Sequence, residues 1–255
     1  MSTVTRNDIK KGLKQLGLKE GDLVLVHSSL SSFGHVEGGA DAVVDALLET
    51  VGKKGTVAVP TSAFRGTMLA YVRDEPLFDV VNTPSLLGKI TETLRRRKEA
   101  LRSLEGSHSV AAIGPLAPHL IKEHEKAGTP CGWETPWGRL ATYDGYILLI
   151  GVGFSSCTFL HAVEEIAGVY YCFMKETGRI HYIDEYGNKG VFDIKIHEPG
   201  HPRDYGKAEK LLRDNGLLRE ATVGNALLKM CRARDLLHLT MREVKKNPDF
   251  LLKKS

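Results

Sequence analysis

The stretch LVLVHSSLSSFG, residues 23–34, joins a short β-rich run to a loop of small hydroxyl residues. Residues 23–27 are too continuously apolar to alternate, which indicates a strand covered on both faces. TVAVP, residues 56–60, has the same character, and residues 38–50 between the two runs carry apolar side chains at helical spacing. The order strand, helix, strand is typical of the start of an α/β fold.

Elements on either side of this unit are predicted from capping and periodicity. Thr5 and Asp8 have the spacing of a capping box, which predicts a helix that ends near Gly17. Thr83-Pro84 predicts the start of another helix, because a cap residue followed by proline is a favoured first turn. Its apolar side would carry Leu86, Leu87, Ile90 and Leu94.

The second half of the chain predicts more strands and a helical end. HSVAAIG (108–114) and YILLIGVG (146–153) read as strands, and the second runs directly into a helix that contains His161. Residues 179–195 alternate in the manner of a hairpin around residues 186–190, and residues 222–246 read as one long helix. No repeat or linker interrupts residues 1–255, which predicts one domain in one or two lobes.

Composition restricts the class of protein. The chain has 255 residues, of which 42% are hydrophobic and 26% charged, as in ordinary globular proteins. It contains no run of about 20 apolar residues, and its start lacks an apolar signal segment, so we expect a cytoplasmic protein without a membrane partner. The four cysteines form no CxxC pair, so reduced thiols are expected in place of a disulfide framework.

Charge is close to balanced, with 35 basic and 31 acidic residues. Basic residues concentrate after residue 229 and in residues 95–98, but no aromatic residues are interleaved with them and no nucleic-acid module is recognisable. Solvated helix faces are therefore favoured, and we expect no nucleic-acid partner. These patterns do not define an oligomeric state.

The loop HSSLSSFG, residues 27–34, is the first segment that could carry chemistry. It leaves a buried strand and offers hydroxyls and backbone N–H groups, which suit an anionic ligand such as a pyrophosphate. It lacks the GxxxxGK[ST] pattern of a P-loop. A capped loop with a core histidine explains the same residues equally well.

The segment GVGFSSCTFLHAVEE, residues 151–165, is the second. On its predicted helix, Thr158 lies three residues before His161, and Glu164 and Glu165 lie three and four residues after it, so all four side chains can share one face. A carboxylate beside an imidazole sets its tautomer and stabilises its protonated form, as a general base requires. A surface pair with no catalytic role has the same spacing.

Other chemistries are less well supported by these residues. HxxEE offers one nitrogen and two oxygens, but zinc sites on helices use two histidines, so no metal is expected. A cysteine nucleophile at Cys131 or Cys157 competes with the simpler interpretation of a core thiol. The chain has neither the GxSxG elbow of common hydrolases nor the GxGxxG fingerprint of dinucleotide-binding proteins.

Seven segments, in this order, resemble the aminoglycoside N3-acetyltransferase family: LVLVHSSLSSFG, GTVAVPT, NTPSLLGKI, SHSVAAIGPLA, TPCGWETPWGRL, ILLIGVGFSSCTFLHAVEE and TVGNALL. The resemblance spans almost the whole chain. It implies an α/β fold with a mixed β-sheet flanked by helices, distinct from the usual N-acetyltransferase fold. It also implies acetyl-CoA as the cosubstrate.

The resemblance also implies roles for individual residues. His161 would be the base, with Glu164 as its orienter and Thr158 beside it, and His27 is a second candidate for the catalytic cleft. The channel for CoA would be lined by residues of the first loop and of two strand ends: Ser28, Ser29, Leu30, Ser31, Thr61 and Ser109.

The acceptor implied is a small polyamine, the 3-amino group of an aminoglycoside, and a cationic acceptor needs acids near the cleft. The candidates are Asp74, Glu75, Glu105, Glu134 and Glu165. Residues 102–109 read RSLEGSHS where the family usually has RSxHPxHS, so Glu105-Gly106 replaces a His-Pro pair. This departure favours one alternative, an acetyltransferase for another small amine. A CoA-binding protein without turnover is a further alternative.

Overall fold

The computed structural model describes residues 3–254, and residues 1, 2 and 255 lie outside it. The strands are β1 Leu23–Ser28, β2 Thr56–Pro60, β3 Leu77–Asp79, β4 Leu101–Arg102, β5 Val110–Ile113, β6 Tyr146–Ile150, β7 Phe173–Ile183, β8 Lys189–His197, β9 Arg219–Val223 and β10 Ala226–Arg232. The helices are α1 Arg6–Gln15, α2 Gly39–Val51, α3 Met68–Arg73, α4 Lys89–Arg95, α5 Ala117–Ile121, α6 Pro136–Thr142, α7 Phe159–Ala167, α8 Gly206–Asp214 and α9 Ala233–Lys246.

Seven strands form the main sheet, in the order β4-β5-β2-β1-β6-β10-β9. The central strand β1 is parallel to both β2 and β6, whereas the outer pairs are antiparallel. Ser28 lies opposite Ile150 in the register of β1 and β6, so the loops that follow these two strands leave the same edge of the sheet side by side. The prediction of a mixed sheet flanked by helices is confirmed.

The two faces of the main sheet bury separate cores, which explains the continuous apolar run of β1. Leu23 and Leu25 pack with Trp137, Phe159 and the helices α5 to α9 on one face. Val24 and Val26 pack with α1, α2 and α4 on the other. The capping box predicted for α1 is present, since the side chain of Thr5 accepts from the backbone N–H of Asp8 and the Asp8 side chain accepts from that of Thr5.

A second sheet has the order β3-β7-β8. Its hairpin of β7 and β8 confirms the alternation read in residues 179–195. Phe78, Ile180 and Ile194 form its core together with residues of α3. The hairpin ends at His197, which pairs with Phe173 in the strand register. The ring of His197 lies against that of His161 on α7.

The helix predicted from Thr83-Pro84 is wrong in its start, because α4 begins at Lys89, after Gly88. Residues 79–88 instead form turns in which the hydroxyl of Thr83 accepts from the backbone N–H of Asp79 and the carboxylate of Glu92 accepts from that of Ser85. Side chains thus bind the backbone groups that a helix would use. Leu87 is consequently left partly exposed, at the rim of the cleft described below.

The long helix predicted over residues 222–246 is also wrong in its first half. Residues 219–232 form the antiparallel pair β9 and β10, joined by a tight turn at Gly224 with φ +56°. Burial in β10 alternates, with Ala226, Leu228 and Met230 facing the core. Over so short a span, this period of two shares its apolar positions with the first part of a helical pattern.

The sequence predicted that β6 runs directly into α7. The structure instead has a turn of 3-10 helix between them, at Phe154–Ser156. Within residues 3–254, every helix is too short or too polar to cross a membrane.

Candidate active site

A cleft of about 370 Å³ opens where the loops after β1 and β6 meet, at the edge of the main sheet. The N-terminal part of α7 forms one wall, and Leu87 and Thr91 form another. The lining residues that bear on function are His27, Ser28, Cys157, Thr158, His161 and Tyr205. The structure therefore brings both sequence segments singled out above to one cavity.

Close packing of the two loops defines this edge. The backbone N–H of Ser29 donates to the carbonyl oxygen of Ile150 at 3.0 Å. A Cβ atom at Gly151, where φ is +62°, would lie 1.8 Å from the Oγ of Ser32. Only glycine fits this approach, so the motif residue Gly151 lets the serine loop seat against the turn that leads to α7.

His161 is held by a buried carboxylate. Its Nδ1 lies 3.1 Å from Oε2 of Glu164 and 3.0 Å from the hydroxyl of Tyr205, which itself donates to the same carboxylate oxygen at 3.1 Å. Because Glu164 only accepts, it selects the tautomer with the proton on Nδ1. That tautomer leaves Nε2 with its lone pair, and the His161 side chain is 28% exposed at the cleft.

Glu164 is fully buried yet has three donors around it. In addition to His161 and Tyr205, the Nε of Arg203 lies 3.3 Å from Oε1. Burial by itself would raise the pKa of Glu164, but the hydrogen bond and charge of His161, the charge of Arg203 and the Tyr205 hydroxyl outweigh it and hold that pKa below its usual value. The carboxylate is therefore ionised where His161 needs it.

A cluster of histidines backs the cleft. The ring of His197 stacks on that of His161 at 4.5 Å and 22°, and the ring of His108 meets both edge-on at 5.0 and 6.0 Å. Burial, with the neighbouring imidazoles, lowers the pKa of His108 and of His197 well below the usual range. Both rings are consequently neutral, and they form a packed wall behind the more exposed His161.

His27 also lines the cleft. Its ring packs near that of Trp137, with 6.1 Å between centroids, and burial lowers its pKa to about 4. A neutral imidazole at this position can offer one hydrogen bond but cannot act as a cation. Thr158, the residue before the first turn of α7, lies on the same cleft three residues from His161.

The residues predicted to line a CoA channel separate into two groups. Ser28 lines the cleft, and Ser29, Leu30 and Ser31 continue from it along the loop, where Ser31 is exposed. By contrast, Thr61 and Ser109 are fully buried, bonded to each other at 3.0 Å between hydroxyl oxygens. They join β2 to β5 and give a ligand no surface to contact, which corrects the expectation that they face the channel.

The predicted acceptor-binding acids are not brought together. Asp74 and Glu75 lie at the exposed end of α3, and the Glu134 side chain is 85% exposed near Arg139. None of these three lines the cleft. This placement does not support a shared acceptor site for them.

Glu105 and Glu165 lie at the opposite extreme, buried behind the histidines. Glu105 is fully buried and accepts from the backbone N–H groups of Ser107 and His108 at 2.8 and 2.5 Å. Burial raises its pKa to about 7. It thus holds the loop that carries His108, and a direct contact with an acceptor is not available to it.

Glu165 is turned away from His161, although it follows Glu164 in the helix. Its Oε1 accepts from the backbone N–H of Cys131 at 2.8 Å and lies 2.7 Å from Nε2 of His197. Burial raises the pKa of Glu165. Only one carboxylate of the HAVEE segment therefore reaches His161.

Tyr205, Arg203 and His197 are site residues that the sequence did not reveal. They lie 32 to 44 residues beyond their partners on α7, in segments without local periodicity that points to a site. Arg203 is fixed by the carbonyl oxygens of Tyr171, Glu198 and His201. The doublet His-Pro at 201–202 before Arg203 was the one visible irregularity.

A larger cavity of about 630 Å³ lies on the other side of α4 and does not include His161. Its guanidinium groups are largely engaged within the chain: Arg95 with Glu92, and Arg102 with the carbonyl oxygens of Thr61 and Thr83. The smaller cleft, by contrast, brings together His27, Thr158 and His161, three of the residues predicted from the sequence.

Two curated relatives show how far the similarity extends. The chain is 36% identical to aminoglycoside N(3)-acetyltransferase IX of Micromonospora chalcea over 65% of its length and 63% of that protein's length. It is 30% identical to aminoglycoside N(3)-acetyltransferase VII of Streptomyces paromomycinus over 92% of its length and 89% of that protein's. The first match thus covers slightly less than two thirds of the relative, and the second covers most of it.

Solved structures share the fold. The apoenzyme of aminoglycoside acetyltransferase AAC(3)-IVa superposes with a TM-score of 0.84, at 27% identity, over 100% of this chain and 93% of that one. AAC-IIIb in a binary complex with CoASH superposes with a TM-score of 0.83 over 100% of both chains. At 22% identity, this similarity shows a shared fold and nothing more.

The family model for aminoglycoside 3-N-acetyltransferases matches residues 25–245, which include the serine loop and α7. This is more than half of the chain. The chain therefore belongs to the aminoglycoside 3-N-acetyltransferase family.

Proposed function

We propose that this protein transfers the acetyl group of acetyl-CoA to the 3-amino group of an aminoglycoside and so confers resistance. The observation that carries the proposal is the unit of His161, Glu164 and Tyr205, whose imidazole opens on a cleft beside the serine loop. The relatives named above are acetyltransferases for this class of acceptor, and one structural neighbour was solved with CoASH.

The chemistry requires a base because an ammonium group has no lone pair. Nε2 of His161 takes a proton from the acceptor amine as its nitrogen attacks the thioester carbonyl carbon. The tetrahedral species then expels the thiolate of CoA, which receives the proton from the imidazolium. Glu164 stabilises the imidazolium during this interval, 3.1 Å from Nδ1. The bonds balance without a covalent enzyme intermediate.

The first loop is the proposed donor site. Ser28 lies in the cleft with His161, and Ser29, Leu30 and Ser31 lead away from it along the surface. Donor phosphates and amides passing this loop would meet small side chains and backbone N–H groups. His27, held neutral by burial, is the proposed second group of the reaction, where it would donate a hydrogen bond to the carbonyl oxygen.

The acceptor site is proposed in the cleft, beside His161. Of the five predicted acids, Glu165 and Glu105 are buried behind the histidines, and the other three lie away from the cleft. Replacement of the usual His-Pro by Glu105-Gly106 therefore acts through the position of His108. This observation favours the second candidate function, acetylation of a different small amine.

The test is release of free thiol from acetyl-CoA with a panel of acceptors that includes aminoglycosides and simple polyamines. We expect turnover with aminoglycosides and a loss of roughly 10²- to 10⁴-fold in His161→Ala, the contribution of a positioned base. His238→Ala, which removes an exposed histidine on α9, is the matched control and should keep the parent rate.

Acetyl-CoA should raise the melting temperature of parent and His161→Ala alike, since binding to the folded chain stabilises it by about 2.7 kcal/mol at a hundredfold excess over Kd. If acetyl-CoA binds but none of the amines causes thiol release, the protein is a CoA-binding protein without turnover. Turnover with polyamines alone would select the other-amine alternative.

A further inference from the structure

Behind the base, three side chains from distant segments meet in the interior. Cys131 belongs to the loop before α6, Glu165 to α7 and His197 to the end of β8. Each offers one ligand atom, a sulfur, a carboxylate oxygen or an imidazole nitrogen, and these atoms lie within 4.8 Å of one another. The side chains of Glu165 and His197 are 2% and 8% exposed, and Cys131 is fully buried.

The polar groups of this cluster are not fully satisfied by the protein. Oε1 of Glu165 has two partners, the backbone N–H of Cys131 and Nε2 of His197. Oε2 is also buried, yet among residues 3–254 no group reaches it with hydrogen-bonding geometry, although the Thr129 hydroxyl is close by. A buried carboxylate oxygen without a donor is costly, which points to a ligand that is positively charged.

The donor set selects the class of cation. Thiolate, imidazole and carboxylate are the protein ligands of Zn²⁺, which accepts all three in tetrahedral sites, whereas Mg²⁺ and Ca²⁺ prefer oxygen alone. A tetrahedral cation held by these three side chains would take one further ligand, such as water. The ordinary interpretation is a buried hydrogen-bonded pair of His197 and Glu165 beside an inert thiol, with the hydroxyl of Thr129 near Oε2.

We propose that Cys131, Glu165 and His197 form a site for Zn²⁺ or a similar borderline divalent cation, separate from the groups that transfer acetyl. The cation would connect the helical layer of the main sheet, through Glu165, to the second sheet, through His197. It would lie one ring behind the base, because His197 stacks on His161 at 4.5 Å. Its role is structural, fixing the wall against which His161 packs.

The experiment uses the full chain, stripped with a chelator and titrated with Zn²⁺ or Co²⁺. We expect about one equivalent of Zn²⁺ per chain by elemental analysis and a rise in melting temperature. Co²⁺ should produce a near-ultraviolet band from thiolate-to-metal charge transfer. In Cys131→Ser that band should disappear, and in Glu165→Gln the affinity should fall by at least about tenfold.

Cys231→Ser is the matched control, because Cys231 is equally buried but lies apart from the cluster. It should keep both the band and the affinity. If Cys131→Ser does not fold, Glu165→Gln, which removes a ligand charge and almost no volume, carries the test through its loss of affinity. Absence of a charge-transfer band in the parent, a band that survives in Cys131→Ser, or an unchanged affinity in Glu165→Gln would overturn the proposal.

Discussion

Replacing Glu164 with glutamine tests the central pair most directly, because it removes one charge and almost no volume. The carboxylate lies 3.1 Å from Nδ1 of His161 and is fully buried. At that distance, with an effective dielectric constant of about 20, the interaction with an imidazolium is worth about 5 kcal/mol. Each 1.36 kcal/mol is tenfold in rate, so nearly four powers of ten is the upper limit.

The expected loss in kcat is roughly 10²- to 10⁴-fold, because the unopposed charge of Arg203 adds to the loss while water in the cleft screens part of it. The acid limb of the pH–rate profile should also move to lower pH, since an imidazolium without its carboxylate is less favourable. Thiol release measured across pH gives both quantities, and the acetyl-CoA melting shift shows whether the donor still binds.

Glu209→Gln is the control, since Glu209 also pairs with two basic side chains but does so on α8, away from the cleft. It should leave kcat and the profile unchanged. A folded Glu164→Gln protein that acetylates within threefold of the parent, with an unmoved acid limb, would refute the assignment of this carboxylate to the base.

Three further substitutions probe the surroundings of the base. Tyr205→Phe removes one hydrogen bond from Glu164, worth about 1 kcal/mol, so kcat should fall about fivefold with KM unchanged; an equal rise in KM would place the hydroxyl on substrate instead. Ser31→Trp should raise the KM for acetyl-CoA and reduce its melting shift while the acceptor KM stays constant, and an unchanged donor KM would remove the loop from the donor site. Burial raises the pKa of Glu105 to about 7. Between about pH 4.5 and 7 the folded chain therefore keeps a proton that the unfolded chain releases, so the contribution of Glu105 to the stability of the fold decreases as pH rises. Denaturant unfolding should therefore show that Glu105→Gln costs less stability at about pH 8 than at about pH 5, by about 3 kcal/mol at most, whereas a cost independent of pH would mean that Glu105 has an ordinary pKa.

Residues of the candidate site were predictable where they lie close in sequence. His161 and Glu164 are three apart on one helix, and α7 is amphipathic, so their contact follows from helical geometry. The serine loop could likewise be placed after a strand. The helical reading of residues 222–232 failed because an alternating strand and an amphipathic helix share apolar positions over short spans.

What the sequence by itself determined is the local structure: the buried strands β1 and β2, the capped helix α1, the pair of His161 and Glu164, and the order of motifs that marks the family. Only the tertiary structure decided what surrounds His161. It brought Tyr205 to His161 from 44 residues away, turned Glu165 toward Cys131 and His197, and buried Glu105, Thr61 and Ser109. Local periodicity reports which face of an element is buried, but contacts between elements depend on how the strands pair and the helices pack, which no short window of sequence contains.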